Sequence, residues 1–92
     1  MSRSVGGYWQ VRIENIVREI VCQYLNVTSD QIKFETSFVD DLNADSFVLV
    51  ELLLAVEEAF GIEIPEKEAE RLHTFKDAAV YIQAKLPSRG WL

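Results

Sequence analysis

One serine, Ser46, lies between an acidic loop and a strongly apolar segment, in the run Asp41-Leu42-Asn43-Ala44-Asp45-Ser46-Phe47. A serine becomes a nucleophile when a base lies within hydrogen-bond reach and a third group orients that base. The single histidine of the chain, His73, is far along the sequence, so no such base is evident. We therefore predict that another enzyme modifies Ser46 and that the chain has no catalytic residue of its own.

The acidic loop before Ser46 also has some of the spacing of a calcium-binding loop. Asp41, Asn43 and Asp45 would be its first, third and fifth positions. Such a loop needs glycine at its sixth position and glutamate at its twelfth, where this chain has Ser46 and Leu52. One cysteine and one histidine are also too few ligands for a zinc site. We expect no metal site.

The chain of 92 residues has the length of one domain, and we predict a single domain over residues 1–92. The longest apolar runs, residues 47–50 and 52–56, are separated by Glu51 and fall short of a membrane span. The first residues lack the apolar segment of a secretory signal. We expect a cytoplasmic protein without membrane insertion.

Charge is unevenly distributed along the chain. Residues 35–70 contain eleven acids and one base, a net charge of −10, while the remaining residues have four acids and eight bases, a net charge of +4. The acidic block repels nucleic acid and anionic membranes, so it argues against both as partners. It favours partners with basic protein surfaces.

The first 44 residues are predicted to form a helix and a loop. Apolar side chains recur at helical spacing over residues 8–25, which predicts an amphipathic helix. Residues 32–44 show no regular period, and a loop of this length in a compact domain is often functional. We expect this loop to be anchored to the core by its large apolar side chains, which are Ile32, Phe34, Phe38, Val39 and Leu42.

Two helices are predicted to follow the loop. Asp45 is a suitable cap for a helix over residues 46–60, and Gly61 is a typical residue to end it. Pro65 is tolerated in the first turn of a helix, which predicts a short helix over residues 66–72.

The last predicted helix covers residues 75–86. Thr74, followed three residues later by Asp77, resembles a capping box at its start. The predicted fold class is therefore all-α: a small four-helix bundle of three longer helices and one short one, with a long first loop.

A helical wheel of residues 46–60 separates two faces. The face expected to contact the core holds Leu49, Leu52, Leu53, Val56 and Phe60. The other sector mixes a hydroxyl, carboxylates and apolar side chains, from Ser46, Phe47, Val50, Glu51, Leu54, Glu57 and Glu58. Apolar anchors surrounded by acids suit a transient docking surface, because the acids steer the encounter and the apolar residues supply contact area. The alternative is that the bundle encloses this helix on most sides.

The segment Asp45-Ser46, its acidic and apolar helix, and the run of residues 56–66 (VEEAFGIEIPE) together resemble an acyl carrier protein. The resemblance continues through residues 68–72, Thr74, residues 77–78 and residues 81–82, and it covers roughly residues 12–86, the expected carrier core. It implies a four-helix carrier fold that performs no chemistry itself. A separate phosphopantetheinyl transferase would attach 4′-phosphopantetheine from coenzyme A to Ser46, using magnesium. The thiol of this cofactor would hold acyl groups as thioesters.

The resemblance also implies partners and site residues. The partners are acyl-processing synthases, reductases, dehydratases and acyltransferases with basic docking surfaces, and carriers of this size usually act as monomers. The acidic recognition positions of the family fall on Asp45, Glu51, Glu57 and Glu58, and its apolar contact positions on Phe47, Val50 and Leu54. In related carriers the acyl chain withdraws between the helices, so the candidate cavity residues are Leu52, Leu53, Val56, Phe60 and Leu72.

Several positions depart from the family pattern. Asn43 stands where glycine is usual, but asparagine tolerates a left-handed backbone, so we expect the turn to survive. Phe47 replaces a usual leucine and enlarges the apolar contact, while Val48 and Ala59 replace common acids. The N-terminal run and the tail with Trp91 lack a family counterpart.

Three functional alternatives stay open from the sequence. The carrier can serve the general fatty-acid pathway or a dedicated pathway that makes a polyketide or a secondary lipid. The chain can also be an unmodified helical adaptor, which would tolerate Ser46→Ala, or a carrier of aminoacyl groups on a related scaffold.

Overall fold

The computed structural model describes the backbone of residues 2–86 and the side chains from residue 11 onward. It contains four α-helices: α1 (Ser2–Leu25), α2 (Ser46–Phe60), α3 (Glu66–Ala69) and α4 (Phe75–Lys85). A one-turn 3-10 helix occupies Ser29–Gln31, and Ser37 and Thr74 form an isolated antiparallel bridge. The predicted all-α bundle of three longer helices and one short helix is confirmed.

The core lies where α1 packs against both α2 and α4. Its most deeply buried side chains come from α1, α4 and the loop, and they are Val17, Val21, Ile32, Phe75 and Ile82. Helix α2 adds Leu52, Val56 and Phe60. The helical periodicity of the sequence identified most of these positions, because a bundle buries one apolar stripe of each helix.

The loop of residues 32–44 is anchored, although by a partly different set of residues from the one predicted. Ile32, Phe38 and Leu42 are buried as expected, and so is Ala44. Phe34 and Val39 are about half exposed, so neither is a buried side chain. Phe34 still contacts the core, because its half-exposed ring stacks on that of the buried Phe75, with 6.1 Å between the centroids.

Backbone hydrogen bonds fasten this loop to the start of α4. The Phe75 N–H donates to the Thr36 carbonyl at 3.0 Å and the Lys76 N–H donates to the Phe34 carbonyl at 2.9 Å. In return, the Phe38 N–H donates to the His73 carbonyl at 3.0 Å. The first N–H groups of a helix have no partner within it, so the loop satisfies donors that α4 would otherwise leave unpaired.

The predicted helix caps are confirmed. The Asp45 carboxylate accepts a hydrogen bond from the Val48 N–H at 2.9 Å, and Gly61 ends α2 in the left-handed conformation at φ 66°. Thr74 and Asp77 form the capping box of α4. These local side-chain and backbone preferences fix where α2 and α4 begin.

Three helix boundaries differ from the prediction. Helix α1 begins at residue 2 instead of 8, because adding a residue to a formed helix gains a hydrogen bond that offsets the cost of two glycines. Helix α3 ends at Ala69, where hydrogen bonds to the third preceding residue tighten the chain as far as Leu72. Helix α4 ends at Lys85, because Leu86 precedes a proline and is extended.

None of the helices within residues 2–86 has the length and apolar content needed to cross a bilayer. The tail that contains Trp91, for which the sequence shows no family counterpart, lies outside the residues that the structure describes.

Candidate functional site

Ser46 is the first residue of α2, and its side chain is exposed. The turn before it is set by the loop: the Ala44 N–H donates to the Phe38 carbonyl at 2.9 Å, and the buried Ala44 side chain holds the chain against the core. Asn43 has φ 59°, so the left-handed turn expected at this position is present. The rigid approach and the helix cap together present the hydroxyl at a defined point on the surface.

An apolar cavity of about 260 Å³ lies between α1, α2 and α3, and Ser46 is one of the residues that line it. Four of the five predicted cavity residues also line it, namely Leu52, Leu53, Val56 and Leu72. Phe60 is buried one turn further along α2 and is not among the lining residues. The structure thus joins the candidate modification site and the candidate acyl cavity in one continuous space.

The cavity is also lined by residues that the sequence did not indicate as cavity residues. Val17 and Val21 of α1 and Phe38 of the loop line it. The inner-face periodicity of α1 was a signal for the two valines, although it did not distinguish a cavity wall from a filled core. Glu66 and Glu70 of the α3 region also line it. No local signal could have found these two acids, because their position depends on how the short α3 packs.

The mixed sector of α2 is on the protein surface. Phe47, Val50 and Leu54 are 71%, 54% and 58% exposed. The carboxylates of Asp45, Glu51 and Glu58 are also exposed. The bundle does not enclose this face, so that alternative reading of the helical wheel is wrong. We call these six residues the α2 surface.

Glu57 differs from the other predicted recognition acids. Its side chain is half-buried, and its carboxylate accepts a hydrogen bond from the Ile64 N–H at 2.6 Å. This bond joins α2 to the segment that leads into α3. Glu57 also lines a groove beside the α2 surface, together with Tyr24, Glu51 and Leu54. The Glu57 carboxylate therefore has a structural hydrogen bond as well as a place at the edge of this surface.

One polar cluster connects α3 to α4. The Tyr81 hydroxyl donates a hydrogen bond to the Glu68 carboxylate, and the Lys85 ammonium lies 3.7 Å from a carboxylate oxygen of Glu68. The hydrogen bond from Tyr81 lowers the pKa of Glu68, with a further contribution from Lys85. Burial raises the pKa of Tyr81 to about 12, and the neighbouring Glu68 carboxylate acts in the same direction. At neutral pH the pair is therefore a protonated phenol donating to a carboxylate.

The residues around Ser46 fit a covalently attached phosphodiester and an apolar chain. Free N–H groups and the helix dipole at the N-terminus of the fifteen-residue α2 favour a negative group there. The apolar cavity that begins at Ser46 provides a site for a hydrocarbon chain. Among residues 2–86, no group of three or more histidine, cysteine, aspartate or glutamate side chains is arranged to hold a metal ion.

Comparisons with known proteins define the class to which this fold and site belong. Residues 15–82 match the family described as "Phosphopantetheine attachment site". The chain is 48% identical over 69 residues to the acyl carrier protein of Bdellovibrio bacteriovorus, covering 75% of this chain and 88% of that protein. It is 48% identical over 68 residues to the acyl carrier protein of Helicobacter hepaticus, covering 74% and 90%.

The fold agrees with these relatives. The solved structure of the acyl carrier protein from Enterococcus faecalis superposes with a TM-score of 0.74 at 31% identity, covering 84% of this chain and 98% of that one. The class is thus that of carriers with a covalently attached 4′-phosphopantetheine.

The chain belongs to the acyl carrier protein family. It is a carrier of acyl thioesters and not a catalyst. Carriers of this family interact with biosynthetic enzymes and with a phosphopantetheinyl transferase. The family assignment favours this function over the adaptor and the aminoacyl carrier.

Proposed function

We propose that Ser46 is the residue to which 4′-phosphopantetheine is attached and that the cavity beside it receives the acyl chain. The observation that carries the proposal is the double role of Ser46, which is exposed at the start of α2 and also lines the apolar cavity. An attached group can thus reach a transferase or a synthase from the surface and still direct an acyl chain inward.

The chemistry of attachment needs little from the carrier. The Ser46 oxygen forms a bond to the phosphorus of coenzyme A that bears the pantetheine, the phosphoanhydride bond breaks, and the adenosine bisphosphate half leaves. The hydroxyl proton passes to a base that the transferase supplies, because the carrier has none near Ser46. The carrier contributes exposure of the hydroxyl and a helix N-terminus that favours the phosphodiester charge.

The size and lining of the cavity favour a neutral chain of medium length. A cavity of roughly 150 Å³ binds benzene, so about 260 Å³ has room for roughly ten carbons by proportion. Its walls are mainly apolar, and burial of methylene groups there is favourable by about 0.8 kcal/mol each. The carboxylates of Glu66 and Glu70 at the α3 side disfavour an acyl group that ends in a carboxylate.

The α2 surface is the proposed docking site for the partner enzymes. Its exposed apolar side chains, Phe47, Val50 and Leu54, supply contact area, and Asp45, Glu51 and Glu58 favour a basic partner. Docking here would place the partner directly beside Ser46. We also propose a cytoplasmic location, because attachment requires coenzyme A, the transferase and the carrier in one compartment.

The attachment residue is tested by intact-mass spectrometry after incubation with coenzyme A, magnesium and a broad-specificity phosphopantetheinyl transferase. We expect the wild-type chain to gain the mass of one phosphopantetheine and Ser46→Ala to gain nothing. Ser29→Ala, which changes another exposed serine, is the matched control and should be modified fully. Modification of Ser46→Ala, or no modification of the wild type while a known carrier is converted, would contradict the proposal.

The docking surface is tested with the same transferase by its kcat/KM for variants of exposed residues. We expect Leu54→Ala and Glu51→Gln to lower kcat/KM by about three- to tenfold, with the Glu51 effect shrinking as salt rises. The controls are Val80→Ala on α4 and Glu35→Gln on the loop, which are equally simple changes of exposed residues. Equal effects of the controls and the α2 variants would show that docking does not use this face.

A further inference from the structure

The cavity wall formed by residues 65–72 has little anchorage of its own. Helix α3 is four residues long, and none of its side chains is buried. Yet Glu66, Ala69 and Leu72 form part of the cavity lining next to Ser46. A wall with few buried apolar contacts is expected to open at low cost in free energy. The contacts that hold this wall in place therefore influence how well the cavity retains an acyl chain.

Side-chain hydrogen bonds from other parts of the described chain fasten the wall at its centre and at the residue just before it. At one end, the Glu57 carboxylate accepts a hydrogen bond from the Ile64 N–H. In the middle, Glu68 of α3 is held by two residues of α4, since it accepts the Tyr81 hydroxyl hydrogen bond and lies 3.7 Å from the Lys85 ammonium. The Lys85 ammonium also lies 5.5 Å from the centroid of the Tyr81 ring. All three side chains of this second point thus contact one another, and together they join α3 to α4.

Helix α4 is a firm support for such a connection. Phe75 and Ile82 are almost fully buried, and the loop of residues 32–44 donates to and accepts from the start of α4. Tyr81 is itself half-buried next to the buried Ile82, and Lys85 is exposed one turn further along α4. The cluster therefore connects the least anchored wall of the cavity to one of the best anchored helices.

We propose that Tyr81, Glu68 and Lys85 are positioning residues that hold α3 closed over the cavity and thereby set how well a medium-length acyl chain is retained. This rests on the proposed function, in which the chain attached through Ser46 enters the cavity. None of the three residues lines the cavity, so they act through the position of Glu66, Ala69 and Leu72. Loss of the cluster should leave a short acyl group unaffected, since a short group does not depend on the wall.

The test compares the rate at which hydroxylamine cleaves the thioester of the octanoyl-loaded and acetyl-loaded full-length carrier. In the wild type the octanoyl thioester should be cleaved more slowly than the acetyl thioester, because its chain draws the thioester toward the cavity. Tyr81→Phe removes one hydroxyl and keeps the ring, and it should raise the octanoyl rate by about two- to fivefold while leaving the acetyl rate unchanged. The control Tyr24→Phe removes the hydroxyl of an exposed tyrosine on α1 and should change neither rate.

A second readout needs no attached group. Amide hydrogen exchange of residues 66–72 in the unmodified protein should be faster in Tyr81→Phe than in the wild type, while exchange in α1 is unchanged. Lys85→Gln, which keeps the Tyr81–Glu68 hydrogen bond, should act in the same direction and more weakly. If Tyr81→Phe is too unstable to study, hydrogen exchange of residues 66–72 in Lys85→Gln tests the positioning role instead.

The outcomes separate the two proposals. If wild-type octanoyl and acetyl thioesters are cleaved equally fast, the acyl cavity of the proposed function is wrong and the cluster has no chain to retain. If the wild type protects its octanoyl chain and the variants protect it equally well, with unchanged exchange in residues 66–72, the positioning role is wrong and the cavity stands. An equal rise in the acetyl and octanoyl rates of Tyr81→Phe would also overturn the positioning role.

Discussion

Two segments flank the cavity beside Ser46, and they are held in opposite ways. The loop of residues 32–44 has no α-helix or strand, yet five of its side chains are buried and its backbone is bonded to the start of α4. The α3 segment of residues 65–72 contains a regular helix, but none of its side chains is buried. Regular hydrogen bonding within a short helix therefore contributes less to anchoring than burial and long-range bonds do. We infer that the loop is the fixed wall of the cavity and α3 the movable one.

This difference suits a carrier that alternates between exposing and enclosing its cargo. The loop fixes the turn at Asn43 and Ala44 and thus the position of Ser46. A fixed attachment point allows many partner enzymes to find the hydroxyl or its attached group in the same place. A movable wall allows an acyl chain to enter and leave without disturbing that point.

The largest loss of stability should follow from truncating a buried side chain of the loop. Phe38 is 6% exposed and lines the cavity, so Phe38→Ala should lower the free energy of unfolding by about 3 kcal/mol or more. The matched change in the other wall, Leu72→Ala, removes a half-buried side chain and should cost only about 1 kcal/mol. Urea unfolding of both variants measures the difference. Equal losses would mean that the two walls are anchored equally well.

A smaller loss of stability should follow from weakening the start of α4, to which the loop is hydrogen-bonded. The Asp77 carboxylate accepts hydrogen bonds from the His73 N–H at 3.0 Å and the Thr74 N–H at 3.1 Å. Burial alone would raise the pKa of Asp77, but these N–H groups outweigh it and hold the pKa below the ordinary 3.8. Asp77→Asn should therefore cost about 1 kcal/mol of unfolding free energy at pH 7.

The pH dependence of this variant has a definite sign. A carboxylate whose pKa is lowered by folding stabilises the folded protein above its ordinary pKa, and that stabilisation is lost as the pH falls through the lower folded value. The difference in unfolding free energy between the wild type and Asp77→Asn should thus shrink below about pH 4. Urea titrations at a series of pH values measure it. A difference that stays constant down to pH 2 would contradict the assignment of the charge effect to Asp77.

A similarly small loss of stability should follow from changing the residue with positive φ in the turn of the loop. Asn43 has φ 59°, a conformation that costs most residues about 1 kcal/mol but not glycine. Asn43→Ala should lower the unfolding free energy by about 1 kcal/mol, while Asn43→Gly should change it by less than about 0.5 kcal/mol. Asn26, with φ 58° after α1, offers the same pair of variants at a site outside the loop. Thermal melts of the four variants would contradict this account if alanine and glycine behaved alike.

Much of this molecule was predictable from the sequence because its signals are local. The cap at Asp45, the glycine at residue 61 and the capping box at Thr74 and Asp77 each act over a few residues, and each is found where the sequence predicts it. Ser46 stood out for a similar reason, as a hydroxyl between an acidic loop and an apolar helix without a neighbouring base. The helical wheel of α2 separated its exposed sector because that separation depends only on the helical period.

The structural features that the sequence did not predict depend on contacts between distant parts of the chain. The bond from Ile64 to Glu57 spans seven residues, and that from Tyr81 to Glu68 spans thirteen, so no local pattern indicates either. The acids Glu66 and Glu70 line the cavity only because of how α3 packs. Phe34 looked like a buried side chain because it is large and apolar, but its ring lies over the buried Phe75 and remains about half exposed.

We infer that an acyl chain attached through Ser46 enters the cavity and lies against the movable α3 wall, while the loop remains in place. This inference is tested most directly by heteronuclear NMR of the carrier loaded with an octanoyl group and with an acetyl group. We predict chemical-shift differences at the lining residues Val17, Phe38, Leu53 and Leu72 and throughout residues 65–72, with little change over the rest of residues 32–42. Differences confined to the immediate neighbours of Ser46 would show that the chain stays outside, and equal changes in the loop and α3 would show that the two walls do not differ.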